Sequence, residues 1–254
     1  MLDIYYYIWL YLNLMILNCL DIIITNRCNL KCSYCEIPQI HSKDQEGFIK
    51  KETAFEAIDS FLKTTNKKVV IHFFGGEPLL NFSLIKEICE YAKNKAKKLS
   101  KKLTLSIAIN GTLITEEVAE YIIKNNFNIL YSIDGNEEIH NLNRPFANGK
   151  SSYEIIIDHA KLLLKNIKRK EKIFARATLT SNELDIEKIT LSLVEIGFKY
   201  IQVEPAFAPE TSLSIIKEEH IQTIKENLIN FAKNYPELFK KEPFIFLPMG
   251  YFIF

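Results

Sequence analysis

Short apolar, β-branched runs alternate along the chain with longer segments in which apolar residues return every three or four positions. The runs Ile22–Thr25, Val69–Phe74, Leu103–Ile109, Ile129–Ile133, Ile173–Thr180 and Tyr200–Val203 predict strands, since they are too short and too β-branched for helices. The segments Lys51–Thr65, Phe82–Ser100, Thr115–Asn125, Ser152–Ile167 and Ile186–Ile196 predict helices between them, with a last helix at Ser214–Ala232. Thr115 ahead of Glu116 and Glu117 supplies an N-cap and acid in the first turn, where both favour a helix start. Strands that are apolar throughout and separated by single helices imply a parallel sheet with right-handed crossovers. The expected fold is α/β, a partial (β/α)6 TIM-like barrel with parallel strands; a doubly wound open sheet is the alternative. No Gly/Ser-rich or Pro-rich linker divides the chain, so residues 21–210 are read as one core. Residues 1–20 form a hydrophobic N-terminal segment, and 211–254 a C-terminal helix with an apolar tail.

The two ends change this picture slightly. Ile4 to Leu20 is aromatic and aliphatic enough to raise a signal-peptide or membrane-anchor reading. No basic residue precedes it, no small-residue cleavage site follows, and Asn13 and Asn18 interrupt it, so it is read as an added segment and not as a span. The tail Phe244–Phe254 is read as exposed apolar surface of the kind a missing partner leaves. Charge excludes one class of partner: 32 basic and 31 acidic residues leave no field to attract a nucleic acid. The basic stretch Lys93 to Lys102 is read as a solvated helix face. Five cysteines in 254 residues are not a disulfide framework, and three of them fall within eight residues, too tight for two bridges. Cys19 and Cys89, isolated from the rest, are expected to be buried thiols. A reducing compartment, the cytoplasm, follows.

In a parallel β/α barrel reactive groups gather where strands end, and three motifs fall there. Cys28-Asn29-Leu30-Lys31-Cys32-Ser33-Tyr34-Cys35 follows the first strand. Its spacing lets one loop place three thiolates around an iron–sulfur cluster; structural zinc, which wants a fourth ligand such as His41, is the alternative. Phe73-Phe74-Gly75-Gly76-Glu77-Pro78 closes the second strand and offers close backbone approach beside a carboxylate, or simply a turn. Tyr131-Ser132-Ile133-Asp134-Gly135 closes the fourth, followed by His140, Asn143 and Arg144. Taken alone, Arg144 could equally be half of a surface ion pair. Asn110-Gly111-Thr112 and Val203-Glu204-Pro205 complete the rim; Asn110 could make its turn only, and Val203 could be plain barrel packing.

From about Ile22 to Pro205 these motifs, in this order, resemble the radical SAM superfamily. The stretch from Ser132 to Gly149 resembles that of peptide-modifying maturases, the anaerobic sulfatase-maturating enzymes and SPASM-type ribosomal-peptide maturases. The resemblance implies a 4Fe–4S cluster held by Cys28, Cys32 and Cys35, with S-adenosylmethionine (SAM) on the open iron. It places Tyr34 and Val203 near the adenine, and Gly75, Gly76 and Glu77 at the methionine amino group. Ser132 and Arg144 take the ribose or carboxylate, and Asn110 orients SAM or substrate. It implies reductive cleavage of SAM to a 5′-deoxyadenosyl radical, an electron donor such as flavodoxin or ferredoxin, and oxidation or thioether cross-linking of a peptide or protein. A glycyl-radical-enzyme activase, and an inactive fragment or cluster-binding partner subunit, are the other readings. Maturases of this kind carry further cysteines in a C-terminal domain; none follows Cys89 here, so the chain is read as a bare core.

Overall fold

A computed structural model describes residues 18–35, 47–64, 67–206 and 214–248. Residues 1–17, most of the hydrophobic N-terminal segment, and His41 lie outside the described residues. The strands are β1 (Cys19–Thr25), β2 (Lys68–Gly75), β3 (Lys102–Ile109), β4 (Asn128–Ser132), β5 (Ile173–Leu179), β6 (Tyr200–Pro205) and β7 (Ile245–Pro248). Seven helices accompany them among the described residues: α1 (Lys51–Thr64), α2 (Phe82–Lys98), α3 (Glu116–Lys124), α4 (Glu137–Asn143), α5 (Tyr153–Asn166), α6 (Ile186–Ile196) and α7 (Glu218–Lys241).

All seven strands are parallel and pair in chain order, β1 to β7. A doubly wound sheet would reverse its strand order at a switch point, so the partial barrel is the correct choice. It has one strand more than the six expected. The core runs along the strands and the inward faces of the helices, with Ile24, Ile71, Ile129, Ile173 and Ile201 fully buried. Thr115 caps α3 by accepting a hydrogen bond from the Val118 N–H at 3.2 Å, as its sequence indicates.

The C-terminal region corrects the sequence reading. The last helix runs Glu218–Lys241, not Ser214–Ala232, and carries Pro236 inside it. Aromatic packing holds this end in place. Phe231 meets Phe246 edge-on at 4.9 Å, Tyr235 meets Phe244 at 5.2 Å, and the Tyr235 hydroxyl donates to the Phe244 carbonyl at 2.7 Å. The start of the apolar tail is therefore packed in part: Phe244 is buried and Ile245–Pro248 add a strand beside β6, while Ile245 stays exposed and 249–254 lie outside the described residues. Cys89 is buried as expected, whereas Cys19 is only half-buried at the start of β1. No helix among the described residues is long and apolar enough to cross a membrane.

Candidate active site

The C-terminal ends of β1 to β6 open onto one cavity, lined on one side by Cys28, Cys32 and Cys35. None of the three is in a disulfide. The Leu30 N–H and Asn110 Nδ2 donate to Cys28 Sγ at 3.4 and 3.7 Å, and Arg144 Nη1 donates to Cys32 Sγ at 3.9 Å. Burial pushes the Cys28 thiol up, and carries Cys32 to about 12 although Arg144 pulls it down. Loading a metal must therefore displace protons, and the donors aimed at these sulfurs favour the thiolates that remain. Among the described residues no three His, Cys, Asp or Glu side chains are grouped to hold one metal ion. A cluster that takes one thiolate per iron suits three cysteines spread along a cavity wall; a tetrahedral zinc site does not. The donor set fits the cluster.

The loop after β2 is fastened to the cysteine loop. The Gly76 N–H donates to the Thr25 carbonyl at 2.7 Å and the Glu77 N–H to that of Arg27 at 2.8 Å. A Cβ on Gly75 would stand 2.3 Å from the Thr25 oxygen, and one on Gly76 2.2 Å from that of Arg27. Both glycines also line the cavity, so the pair serves loop packing and ligand approach together. Glu77 turns the other way. It is fully buried, and its two carboxylate oxygens accept the N–H groups of Leu79 at 3.0 Å and Asn110 at 2.7 Å. Its side chain does not line the cavity; it ties the β2 loop to the β3 loop.

Asn110 lines the cavity, but its amide is already engaged. Nδ2 donates to Asn29 Oδ1 at 2.8 Å as well as to Cys28, and Oδ1 accepts from the Thr112 N–H and hydroxyl at 2.9 and 2.7 Å. Its place in the structure is beside the cysteine loop. Ser132 lines the cavity from the end of β4. Val203 does not: it is buried in the apolar core, in register with Ala177 and Pro248, and the residues that line the cavity there are Glu204, Pro205 and Ala206.

Arg144 is not half of a surface pair but of a buried one. Its Nε donates to Asp134 Oδ1 at 3.0 Å, where the Thr178 N–H also donates at 3.0 Å, and the Tyr34 hydroxyl donates to Asp134 Oδ2 at 2.7 Å. The guanidinium stands over the Tyr34 ring at 5.3 Å. Burial opposes the charge on Arg144, but Asp134, together with Tyr34 and Cys32, more than restores it. Asp134, fully buried, is thus the hub that fixes both residues, though the sequence had given it no role. Behind it, His140 Nδ1 accepts the Asp134 N–H at 3.4 Å, its Nε2 lies 3.0 Å from Ser152 Oγ, and that hydroxyl donates to the Arg144 carbonyl at 2.6 Å. Glu204, placed on the rim by the sequence without a role, lines the cavity, as do Arg176 and Thr178, which were missed; a charge inside a run that reads as buried strand is the signal that marks Arg176.

Two groups here give opposed pH dependences. Burial lowers His140 from 6.5 to about 4, so the unfolded chain binds more protons between those values and stability is lost as pH falls through them. Burial raises Glu77 from 4.5 to about 7, so its contribution is full below 4.5 and is lost as pH rises towards 7. Each slope is at most about 1.4 kcal/mol per pH unit. His72, lowered by burial, adds modestly to the His140 side. Between 4.5 and 6.5 the wild-type chain should show little net change. Glu77→Gln should expose stability that rises with pH, and His140→Gln stability that falls. Urea midpoints across this window test it; a flat profile in Glu77→Gln would refute it.

The Radical SAM superfamily model matches residues 22–189. An uncharacterised protein of Methanocaldococcus jannaschii is 34% identical over 212 residues, covering 83% of this chain and 67% of its own. A cysteine-type anaerobic sulfatase-maturating enzyme of Clostridium perfringens is 31% identical over 69% of this chain, and a radical SAM cyclopropyl synthase of Paramaledivibacter caminithermalis 28% identical over 84%. The chain spans about half, 48%, of the length of these last two. The solved structure of native anSMEcpe with bound AdoMet superposes with a TM-score of 0.77 at 25% identity, over 90% of this chain and 63% of that one. Motif order, cavity and family match converge: the chain belongs to the radical SAM superfamily, whose members use a 4Fe–4S cluster and S-adenosylmethionine.

Proposed function

We propose that this chain binds a 4Fe–4S cluster through Cys28, Cys32 and Cys35 and reductively cleaves SAM to mature a peptide or protein substrate. The carrying observation is that these thiols share one cavity with Gly75, Gly76, Ser132 and Arg144. When bound at these cysteines, the cluster would supply the one-electron reduction of SAM by which methionine leaves and hydrogen is taken from substrate. The protein's part is orientation. Gly75 and Gly76 let backbone approach the methionine end, and Ser132 and Arg144 offer a hydroxyl and a cation for its carboxylate. Tyr34, held by Asp134, fixes the wall beside Cys35. Glu77 acts at one remove, by holding the glycine loop and Asn110 in place. The cofactor is an electron acceptor at this step, so a reducing compartment and a one-electron donor of the flavodoxin or ferredoxin kind complete the reading.

Peptide modification is supported by the sulfatase-maturating relatives and by the likeness to anSMEcpe solved with AdoMet and the Kp18Cys peptide, at 26% identity and a TM-score of 0.77. Anaerobic reconstitution with iron and sulfide should give a cubane absorption and spin signal, and SAM with reductant should yield 5′-deoxyadenosine. A panel of Cys- and Ser-containing peptides, read by mass spectrometry, should reveal loss of a hydrogen pair or a thioether link. A zinc-only protein after reconstitution would end this reading.

A further inference from the structure

The parallel strands all begin at the pole opposite the cysteine cavity, and three of the links that lead into them are strongly basic. Lys67-Lys68 opens β2, Lys97-Lys98-Leu99-Ser100-Lys101-Lys102 joins α2 to β3, and Lys168-Arg169-Lys170-Glu171-Lys172 leads into β5. Ten basic residues and one acidic residue stand in these links, so the near-neutral total of 32 against 31 hides a one-signed pole. Two of the links meet. Lys102, Arg169 and Lys172, with Lys93 of α2, line a cavity of about 280 Å³ that no Asp or Glu lines among the described residues. Lys93 and Lys172 donate there to the neutral side-chain amides of Asn125 and Asn128. Lys172 is held below the ordinary lysine value by burial, by Arg169 and, with Glu171 opposing, by Lys102. Towards β6 the excess ends, since Lys199 is matched by Glu242 at 2.6 Å. Like charges gathered on one face destabilise the free protein and attract an anionic surface.

The chain that enters at this same pole indicates which surface. The Asn18 carbonyl accepts the Val70 N–H at 2.6 Å, two residues from Lys68, so residues 1–17 join the fold beside the basic links. That segment carries Trp9 and the tyrosines 5, 6, 7 and 11 among isoleucines and leucines, and Asp3 is its one charged side chain. Tryptophan and tyrosine settle at the level of lipid headgroups, where one end of the ring system is wet and the other apolar. Cations beside an aromatic, apolar segment are the combination that holds a protein on an anionic bilayer. A nucleic acid or an acidic protein would use the cations and leave the aromatic segment without a part.

We propose that this pole rests on an anionic membrane surface, with its lysines and Arg169 against lipid phosphates and residues 1–17 making the apolar contact at the interface. The protein lies on the bilayer and does not span it. The cysteine cavity, at the other pole, faces away from the lipid. Membrane contact of this kind is independent of the substrate that the cavity takes.

The test is sedimentation of the full chain with vesicles, either of phosphatidylcholine alone or of an equal mixture with phosphatidylglycerol. The mixture should hold the chain roughly tenfold or more tightly, and added salt should release it. Lys97→Gln, Lys98→Gln, Lys168→Gln and Arg169→Gln, combined in one variant, should weaken binding to the mixture by roughly a hundredfold. All four side chains are exposed, so the melting temperature should change little. Trp9, the single tryptophan of the chain, reports on its own segment. Its fluorescence should move to the blue on the mixed vesicles and be quenched by brominated acyl chains. Equal retention on both vesicle types, or unchanged binding of the fourfold variant, would overturn the inference. Retention with Trp9 unquenched would leave a charge contact without insertion and overturn it too. Release by inorganic phosphate at constant ionic strength would mark a small-anion pocket instead of a docking surface. Tighter binding to a single-stranded oligonucleotide than to the mixture would assign the pole to a nucleic acid; either result ends the membrane assignment.

Discussion

Replacing any one of Cys28, Cys32 and Cys35 by alanine should reduce iron and sulfide after anaerobic reconstitution to background and abolish release of 5′-deoxyadenosine. The loss should be all-or-none, because in the proposed cluster each thiolate would hold a different iron, and among the described residues no group of His, Cys, Asp or Glu offers an alternative metal site. The other two cysteines supply the control. Cys89 is fully buried in the core and Cys19 sits half-buried at the start of β1, both away from the cavity lining. Cys89→Ala should lower stability by about 1 kcal/mol, the cost of a small buried void, and keep its cluster; Cys19→Ala should change neither. Iron analysis, absorption spectra and SAM turnover on all five variants separate the sets. Cluster loss in Cys89→Ala at full stability, or retention in Cys32→Ala, would contradict the assignment.

How much of this was legible beforehand follows from the range over which each signal acts. Periodicity is local, so the alternation of strands and helices emerged with ends displaced by a few residues; Ile186–Ile196 matched at both ends. The motif cysteines and glycines were legible because spacing alone restricts what a short loop can do. The seventh strand was not. Ile245–Pro248 is four residues long and follows a helix with an internal proline, and a short apolar run has no period that tells strand from tail. Glu77 and Val203 were placed by motif, but which way a side chain faces depends on partners far along the chain: the Asn110 N–H draws Glu77 away from the cavity, and Glu204 rather than Val203 takes the inward face of β6. Asp134 lay within a recognised motif, yet its role depends on Tyr34, Arg144 and Thr178, which only the fold brings together.

Asp134→Asn should be the most destabilising single change at the site. The native carboxylate serves three donors, from Arg144, Thr178 and Tyr34, across β1, β4, β5 and α4. An asparagine has one oxygen for them and presents an N–H₂ to at least one, while Arg144, 8% exposed, keeps its charge without a counter-ion. Stranding a buried charge costs about 3–5 kcal/mol, which for a domain of this size lowers Tm by roughly 10 °C. The cost should fall mainly on the pair. Arg144→Met removes the stranded charge, so Asp134→Asn with Arg144→Met should be less destabilised than Asp134→Asn alone, a positive coupling that a double-mutant cycle reads directly. Function should not follow stability: the double variant, although firmer, still lacks the cation beside Cys32 and the anchor of Tyr34, so its SAM affinity should stay low. Thermal melts and SAM titration of the four proteins test both halves. A cost below about 1 kcal/mol for Asp134→Asn, within the range of an ordinary surface change, would mean that Arg144 finds its counter-charge elsewhere.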